Sequence, residues 1–186
     1  MPNFKTLNKK VVFLLKRGSV GIIPTDTLYG LVGQALNRKT VEKIYLLRKR
    51  NPKKPMIILI GSTSDLKKFN IILKPKTSNL KPGTWPPKTS IIFDCPAAKF
   101  RYLHRGAKTL AFRLPKSFRI RALLKKTGPL VAPSANTEGK PPSKNIKEAQ
   151  KYFKDKVDFY VDAGRITGKS SKLIKIENNK IVQLRK

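Results

Sequence analysis

Short apolar runs alternate along this chain with segments of helical period, and that alternation restricts it to an α/β fold more than any other feature does. Val20-Gly21-Ile22-Ile23 is stopped by Pro24. Met56-Ile57-Ile58-Leu59-Ile60 is a continuous run of strand length, and Ser90–Phe93, Leu110–Leu114, Leu130-Val131-Ala132 and Phe159-Tyr160-Val161 read as further strands. Between them, Leu7 to Lys16 sets Leu7, Val11, Leu14 and Leu15 on one helical face and ends at Gly18. Asn37 suits the cap of a helix from Lys39 to about Arg48 that carries Val41, Ile44, Tyr45 and Leu47. Ser62 or Ser64 caps a short helix ending near Phe69. Phe118 to Lys126 is helical up to Gly128, and Ile146 to Phe153 is helical again. Residues 70–90, with Pro75, Pro82, Gly83, Pro86 and Pro87, read as an irregular connection. Leu173–Ile176 and Ile181–Leu184, around Glu177-Asn178-Asn179-Lys180, predict a closing hairpin and so a mixed sheet. No repeat and no shift of composition divides residues 1–186, which predicts a single domain: a twisted mixed β-sheet with flanking helices.

The charge balance is extreme in sign. Forty-two Lys and Arg face ten Asp and Glu, for a formal net charge of +32. Between Leu66 and Thr137 the only acid is Asp94, among sixteen Lys and Arg. Such a surface attracts phosphates, nucleic acids or anionic lipid heads, and the spread of cations along the chain predicts a folded basic face rather than a basic arm. A lysine-rich bias of the whole proteome explains the same count, and composition does not separate the two. Cys95 is the only cysteine, so an internal disulfide framework is excluded and a reducing compartment fits. The N-terminal run Val11–Leu15 lies between Lys10 and Lys16, far short of the roughly 18–20 residues that span a bilayer, and no small-residue cleavage site follows it. These features predict a cytoplasmic protein without a membrane partner.

Three stretches carry polar chemistry at strand ends, where α/β proteins place ligand contacts. In Pro24-Thr25-Asp26-Thr27-Leu28-Tyr29-Gly30-Leu31, two hydroxyls and an acid follow a strand, and Tyr29 offers a flat wall with a polar tip. The same residues also suit a turn that caps a following helix, with Tyr29 in the core. In Arg48-Lys49-Arg50-Asn51-Pro52-Lys53-Lys54-Pro55, five cations occupy seven positions between a helix and a buried strand, and arginine forks match phosphate or carboxylate oxygens. A solvated charge run is the alternative. Pro133-Ser134-Ala135-Asn136, then Gly139-Lys140-Pro141-Pro142, places a hydroxyl and an amide two residues apart after another short strand, as an ordinary turn also would.

In this order the three stretches resemble the YrdC-like family, the threonylcarbamoyl-AMP synthases (TsaC) of tRNA modification. Pro24–Leu31 matches the family's Pro-Thr-Asp/Glu-Thr-x-Tyr-Gly-Leu, and Ser134-Ala135-Asn136 its Ser-x-Asn. Arg48-Lys49-Arg50 falls at its Lys-x-Arg, with Pro55-Met56 at its Pro-Leu. Thr109, Arg113 and Pro115 match its Thr-x-x-x-Arg-x-Pro strand, Ser171 its late Ser-Thr, and Arg185 its terminal arginine. The likeness runs from about residue 10 to the end and implies the short form, without the extra C-terminal domain of longer members. Arg48 stands for a family Lys, Lys172 for a Thr and Pro133 for a Thr or Ser. Leu59 sits where many longer members carry a His.

The resemblance implies a concave basic cleft that forms threonylcarbamoyl-adenylate and pyrophosphate from L-threonine, bicarbonate and ATP. It assigns Thr27, Tyr29, Arg113, Ser134 and Ser171 to threonine. Arg50, Lys54, Thr109, Asn136 and Arg185 go to ATP, with Arg48 and Arg50 as the catalytic cations near the phosphates. Mg2+ would arrive with the nucleotide, and the product would feed the threonylcarbamoyl-transfer machinery that modifies tRNA. Restoring lysine at Arg48 is expected to be tolerated. Two other readings stay open: a carbamoyl-adenylate-forming enzyme, like the module of hydrogenase maturation factors, and a non-catalytic double-stranded RNA or ribosome-binding protein. Non-specific RNA affinity is expected from the charge alone. Gly164-Arg165-Ile166-Thr167-Gly168-Lys169-Ser170 has one residue too few between its glycines for a P-loop, and a strand follows it rather than a helix. His104, the only histidine, is expected on the surface of a basic loop, Cys95 in the core, and Asp26 as either a proton-transfer group or a helix cap.

Overall fold

The computed structural model describes residues 2–73, 85–177 and 180–185. Pro75, Pro82 and Gly83 of the expected irregular connection, and the Asn178-Asn179 turn, lie outside the described residues. From the N-terminus come β1 (Asn3–Phe4), α1 (Lys9–Lys16), β2 (Gly21–Pro24), β3 (Tyr29–Gln34), α2 (Arg38–Arg48) and β4 (Ile58–Leu59). A 3-10 turn at Thr63–Phe69 follows, then β5 (Thr89–Asp94), α3 (Arg101–His104), β6 (Thr109–Arg113), α4 (Phe118–Thr127) and β7 (Leu130–Val131). The chain closes with α5 (Ile146–Phe153), β8 (Phe159–Val161), β9 (Lys172–Glu177) and β10 (Lys180–Arg185).

The strands join in one mixed sheet of order β1-β8-β2-β3-β7-β4-β6-β5-β9-β10. Side chains alternate across it, and the alternation builds two cores. Ile22, Leu31, Ile58, Val131 and Tyr160 face one side, where Val41, Ile44 and Tyr45 of α2, Leu103 of α3 and Phe153 of α5 cover them. Ile23, Val32, Leu59, Leu130 and Phe159 face the other, under Val11 and Leu15 of α1 and Ile120, Leu123 and Leu124 of α4. Strands buried on both faces read as continuous apolar runs. A slip of one residue would exchange the two cores, so the register is fixed by the side chains.

Local chemistry sets the helix ends. Asn37 accepts from the Thr40 N–H, Ser117 from that of Ile120 and Asn145 from that of Glu148. Gly128 closes α4. The caps read from the sequence at Asn37 and Ser62 stand where expected.

Three sequence expectations need correction. The Pro24–Leu31 stretch is not a loop before a helix: residues 25–28 are a tight turn, and Tyr29 opens β3, antiparallel to β2. Gly30 and Gly33 hide that strand from a reading of propensity. Gly33 is required there, because a Cβ would lie 2.2 Å from Thr40 Cγ2 where α2 crosses the sheet. In the Met56–Ile60 run all but Ile57 are buried, yet only Ile58 and Leu59 enter the ladder. His104 is 4 % exposed rather than on a surface loop, because α3 turns it with Leu103 toward the sheet. Its Nδ1 accepts from the Gly106 N–H. Cys95 is buried, as expected.

Candidate active site

A cleft of about 330 Å³ opens where the loops after β2 and β7, the segment after α2 and the strands β5, β6, β9 and β10 meet. The turn at its floor is held by one hydroxyl. Thr25 Oγ1 accepts from the Thr27 and Leu28 N–H groups at 3.2 Å each and donates to the Leu28 carbonyl at 2.7 Å. This local bonding, of the kind short Thr side chains offer in turns, leaves Thr27 facing β6. There Arg113 Nη1 donates to Thr27 Oγ1 at 2.8 Å, and Arg113 Nη2 lies 3.0 Å from Asp26 Oδ1. The two charged side chains are 6 % and 8 % exposed. Asp26 Oδ2 accepts from the Lys116 N–H. Asp26 is therefore the counter-charge of Arg113, and it caps no helix. Burial holds the Arg113 guanidinium below its ordinary pKa, opposed by Asp26 and assisted by Arg185. Arg113 Nε has no hydrogen-bond partner among the described residues.

Ser134 sits beside this pair because its loop continues the sheet. It bridges Gly30 of β3, with Leu31 N–H donating to Pro133 O and Ala135 N–H to Tyr29 O. On its other side is Arg48, the last residue of α2. Lys49, with φ of 49°, closes that helix in the left-handed region and turns the chain away. Arg48 stays buried, its Nε donating to Asn136 O at 2.9 Å and its Nη2 to Asn136 Oδ1 at 3.2 Å and Ser134 Oγ at 3.3 Å. Burial, and then the neighbouring Arg50 charge, lower its pKa to about 10, while Glu138 opposes the shift.

Arg50 reaches the cleft from the next turn. Its Nε and Nη2 donate to the carbonyls of Lys54 and Pro55 at 3.0 and 2.8 Å, which fixes one edge of the guanidinium. Across the cleft, Arg185 of the terminal strand donates from Nε and Nη2 to Ser171 O, and from Nη2 to Ser171 Oγ at 3.2 Å. Ser171 Oγ also meets Ser90 Oγ at 2.9 Å. Burial, then Arg50, hold the Arg185 pKa down as well.

The residues singled out in the sequence therefore converge. Thr27, Arg48, Arg50, Thr109, Arg113, Ser134, Ser171 and Arg185 all line this cleft. Tyr29 lines it too, but its side chain is fully buried, with the hydroxyl donating to Gly164 O at 2.7 Å and accepting from the Ala163 N–H. Asn136 and Lys54 lie outside the lining. Asn136 is buried behind it, its amide donating to the carbonyls of Thr137 and Lys140. Lys54 is 62 % exposed and pairs with Glu138. Two residues at the site escaped sequence reasoning. Ser90 carries no local signal. Glu138 does, as the only acid between Asp94 and Glu148, two positions past Asn136.

Four guanidinium groups and seven Ser, Thr or Tyr hydroxyls around one cleft, with no His, Cys, Asp or Glu among the described residues of its lining, form a site suited to anionic ligands, with no carboxylate or imidazole in the lining to activate a hydroxyl as nucleophile. Comparison with known proteins gives the class a family. Residues 13–186 match the Sua5/YciO/YrdC family model, described as telomere recombination. A Methanocaldococcus jannaschii protein, provisionally named a threonylcarbamoyl-AMP synthase, is 33 % identical over 185 residues, which covers 95 % of this chain and 86 % of that protein. The threonylcarbamoyl-AMP synthase of Bacillus subtilis is 32 % identical over 81 % of this chain, which spans 44 % of the relative's length. Pyrococcus abyssi Sua5, solved with L-threonine, superposes with a TM-score of 0.87 at 25 % identity over 99 % of this chain and 56 % of its own. The chain belongs to the Sua5/YciO/YrdC family.

Proposed function

We propose that this protein is a threonylcarbamoyl-AMP synthase. The observation that carries the reading is the convergence of Arg48, Arg50, Arg113 and Arg185 with Thr27, Ser134 and Ser171 on one cleft. Arg113, held between Asp26 and Thr27 where it lines the cleft, suits the carboxylate of threonine, with Ser134 and Ser171 as neutral partners for its polar atoms. The Pyrococcus abyssi Sua5 structure, a complex with L-threonine, supports threonine as the amino acid taken here. Arg50 and Arg185, which line the same cleft, suit the polyphosphate of ATP, with Thr109 also in the lining.

The reaction needs positioning and charge neutralisation more than proton relays. The threonine amine adds to carbon dioxide, supplied by bicarbonate, to give a carbamate, and the amine proton combines with the hydroxide that bicarbonate leaves behind as water. A carbamate oxygen then attacks the α-phosphorus of ATP, the bond to the β-phosphate oxygen breaks, and pyrophosphate leaves with that electron pair. The guanidinium groups offset charge on the attacked phosphate and on the leaving group. Among the described residues of the lining the polar side chains are guanidinium groups and hydroxyls, with no carboxylate, so Mg2+ would enter as part of the ATP substrate, held by phosphate and water. The product would serve a downstream transferase acting on tRNA. Among the described residues no helix is long and apolar enough to cross a membrane. A tRNA-modifying role would place the protein's action in the cytoplasm. The charge of +32 supports a sequence-independent RNA affinity, driven by counterion release and steeply weakened by salt.

Calorimetric titration separates the two halves of the site. Arg113→Ala is expected to abolish threonine binding while ATP still binds, and Arg50→Ala to weaken ATP far more than threonine. Equal effects of both variants on both ligands would contradict the assignment.

A further inference from the structure

Glu138 stands beside the cation cluster without lining the cleft. Both its main chain and its side chain fasten to the segment that follows α2. Its N–H donates to Arg48 O at 2.8 Å, and its Oε2 accepts from the Asn51 N–H. Its other oxygen, Oε1, lies 3.5 Å from Lys54 Nζ and 4.0 Å from Arg50 Nη1. An anionic oxygen between an ammonium and a guanidinium presents the chemistry of a phosphate oxygen in the same place. The Asn51 N–H, then Arg50 and Lys54, hold the carboxyl below the usual range, so it is ionised at neutral pH.

We infer that Glu138 is a positioning residue and internal counter-anion of the nucleotide site: it aligns Arg50 and Lys54 in the free protein and competes with the polyphosphate for both. The inference rests on the assignment of ATP to Arg50 and deepens it. Two opposed effects follow from one side chain. Its tie to Asn51 N–H pre-organises the cationic segment, which favours binding. Its charge offsets part of the field that attracts phosphate, which lowers affinity for ATP and for the pyrophosphate product alike. A site that must release pyrophosphate after each turnover gains from such an offset, because an uncompensated cluster would retain the leaving group.

The two effects separate by substitution. Glu138→Gln keeps an oxygen to accept from Asn51 N–H and puts a neutral amide nitrogen in place of the charged oxygen that faces Lys54 and Arg50. Glu138→Ala removes both. Calorimetry on the full chain with ATP, inorganic pyrophosphate and L-threonine as probes reads the result. For Glu138→Gln the dissociation constants of ATP and pyrophosphate should fall about 2- to 5-fold, the scale of a partly exposed ion pair, with threonine unchanged. In steady state KM for ATP should fall, and kcat should fall with it as product release slows. Glu138→Ala should bind both phosphates more weakly than Glu138→Gln. A residue that only shapes the loop would give the reverse sign, so ATP and pyrophosphate bound by Glu138→Gln as weakly as, or more weakly than, by the unsubstituted protein would overturn the inference. Failure of the unsubstituted, folded protein to bind either phosphate would instead overturn the nucleotide assignment beneath it.

Discussion

Gly168 rests on the backbone of Thr27 so closely that a Cβ at that position would lie 2.0 Å from the Thr27 carbonyl oxygen. The segment that resembled a P-loop is thus a strap over the β2–β3 turn, pinned a few residues earlier by Tyr29 Oη on Gly164 O. Its end, Ser170 and Ser171, forms part of the cleft wall. Gly168 is needed for close approach rather than for phosphate binding.

Gly168→Ala should therefore act on the threonine half of the site. Backbone cannot swing aside like a side chain, so the strap or Thr27 must move, at a cost of about 1–3 kcal/mol in stability. Thermal unfolding should shift down, and threonine affinity should drop several-fold while ATP affinity changes less. An unchanged melting temperature with unchanged threonine binding would show that the strap yields freely.

Asp26→Asn tests the buried pair. The amide retains the acceptor for Lys116 N–H but leaves Arg113, with a side chain 6 % exposed, without its counter-charge. Removing one member of such a pair costs about 3 kcal/mol here, the lower end of the usual range because the cleft admits water. Denaturant unfolding should register that loss, and Arg113 should hold threonine less well.

Arg48→Lys was expected from the family pattern to be harmless, and the structure argues otherwise. One ammonium cannot replace bonds to Asn136 O, Asn136 Oδ1 and Ser134 Oγ. Leaving a buried acceptor unpaired costs about 1–3 kcal/mol, and Ser134 would lose its orientation. With the native arginine, burial lowers the pKa to about 10, so the charge is complete at neutral pH and is lost as pH rises through that value. ATP affinity should accordingly be level through the neutral range and fall as pH approaches about 10. Native stability and turnover in the Arg48→Lys variant would return Arg48 to a simple charge role.

The fold was legible where local signals and burial agree. Asn37, Gly128 and the period of Val41, Ile44 and Tyr45 mark helices whose chemistry is in their own sequence. Asn3–Phe4 was not legible, because two residues become a strand only through parallel pairing with Tyr160 and Val161. The β3 strand was hidden by Gly30 and Gly33, and the reason for Gly33 is the close crossing of α2 over the sheet, which only the packing shows. At the site, the residues of the ordered motifs Thr27, Arg50, Arg113 and Ser134 meet on one cleft. The motifs did not tell which side chains line it. Asn136 lies behind the lining, bonded to Arg48, and Lys54 lies outside it beside Glu138. That distinction depends on which way a side chain turns, and spacing alone does not encode it.

The central claim is that one cationic cleft joins threonine, carbon dioxide and the α-phosphate of ATP without a protein nucleophile. Pyrophosphate release from the purified protein with ATP, Mg2+, bicarbonate and L-threonine, each omitted in turn, tests it most directly. Pyrophosphate and a threonine-labelled adenylate should form in equal amounts, with release abolished when any one component is left out. Pyrophosphate released without threonine, or none released from the complete mixture, would contradict it.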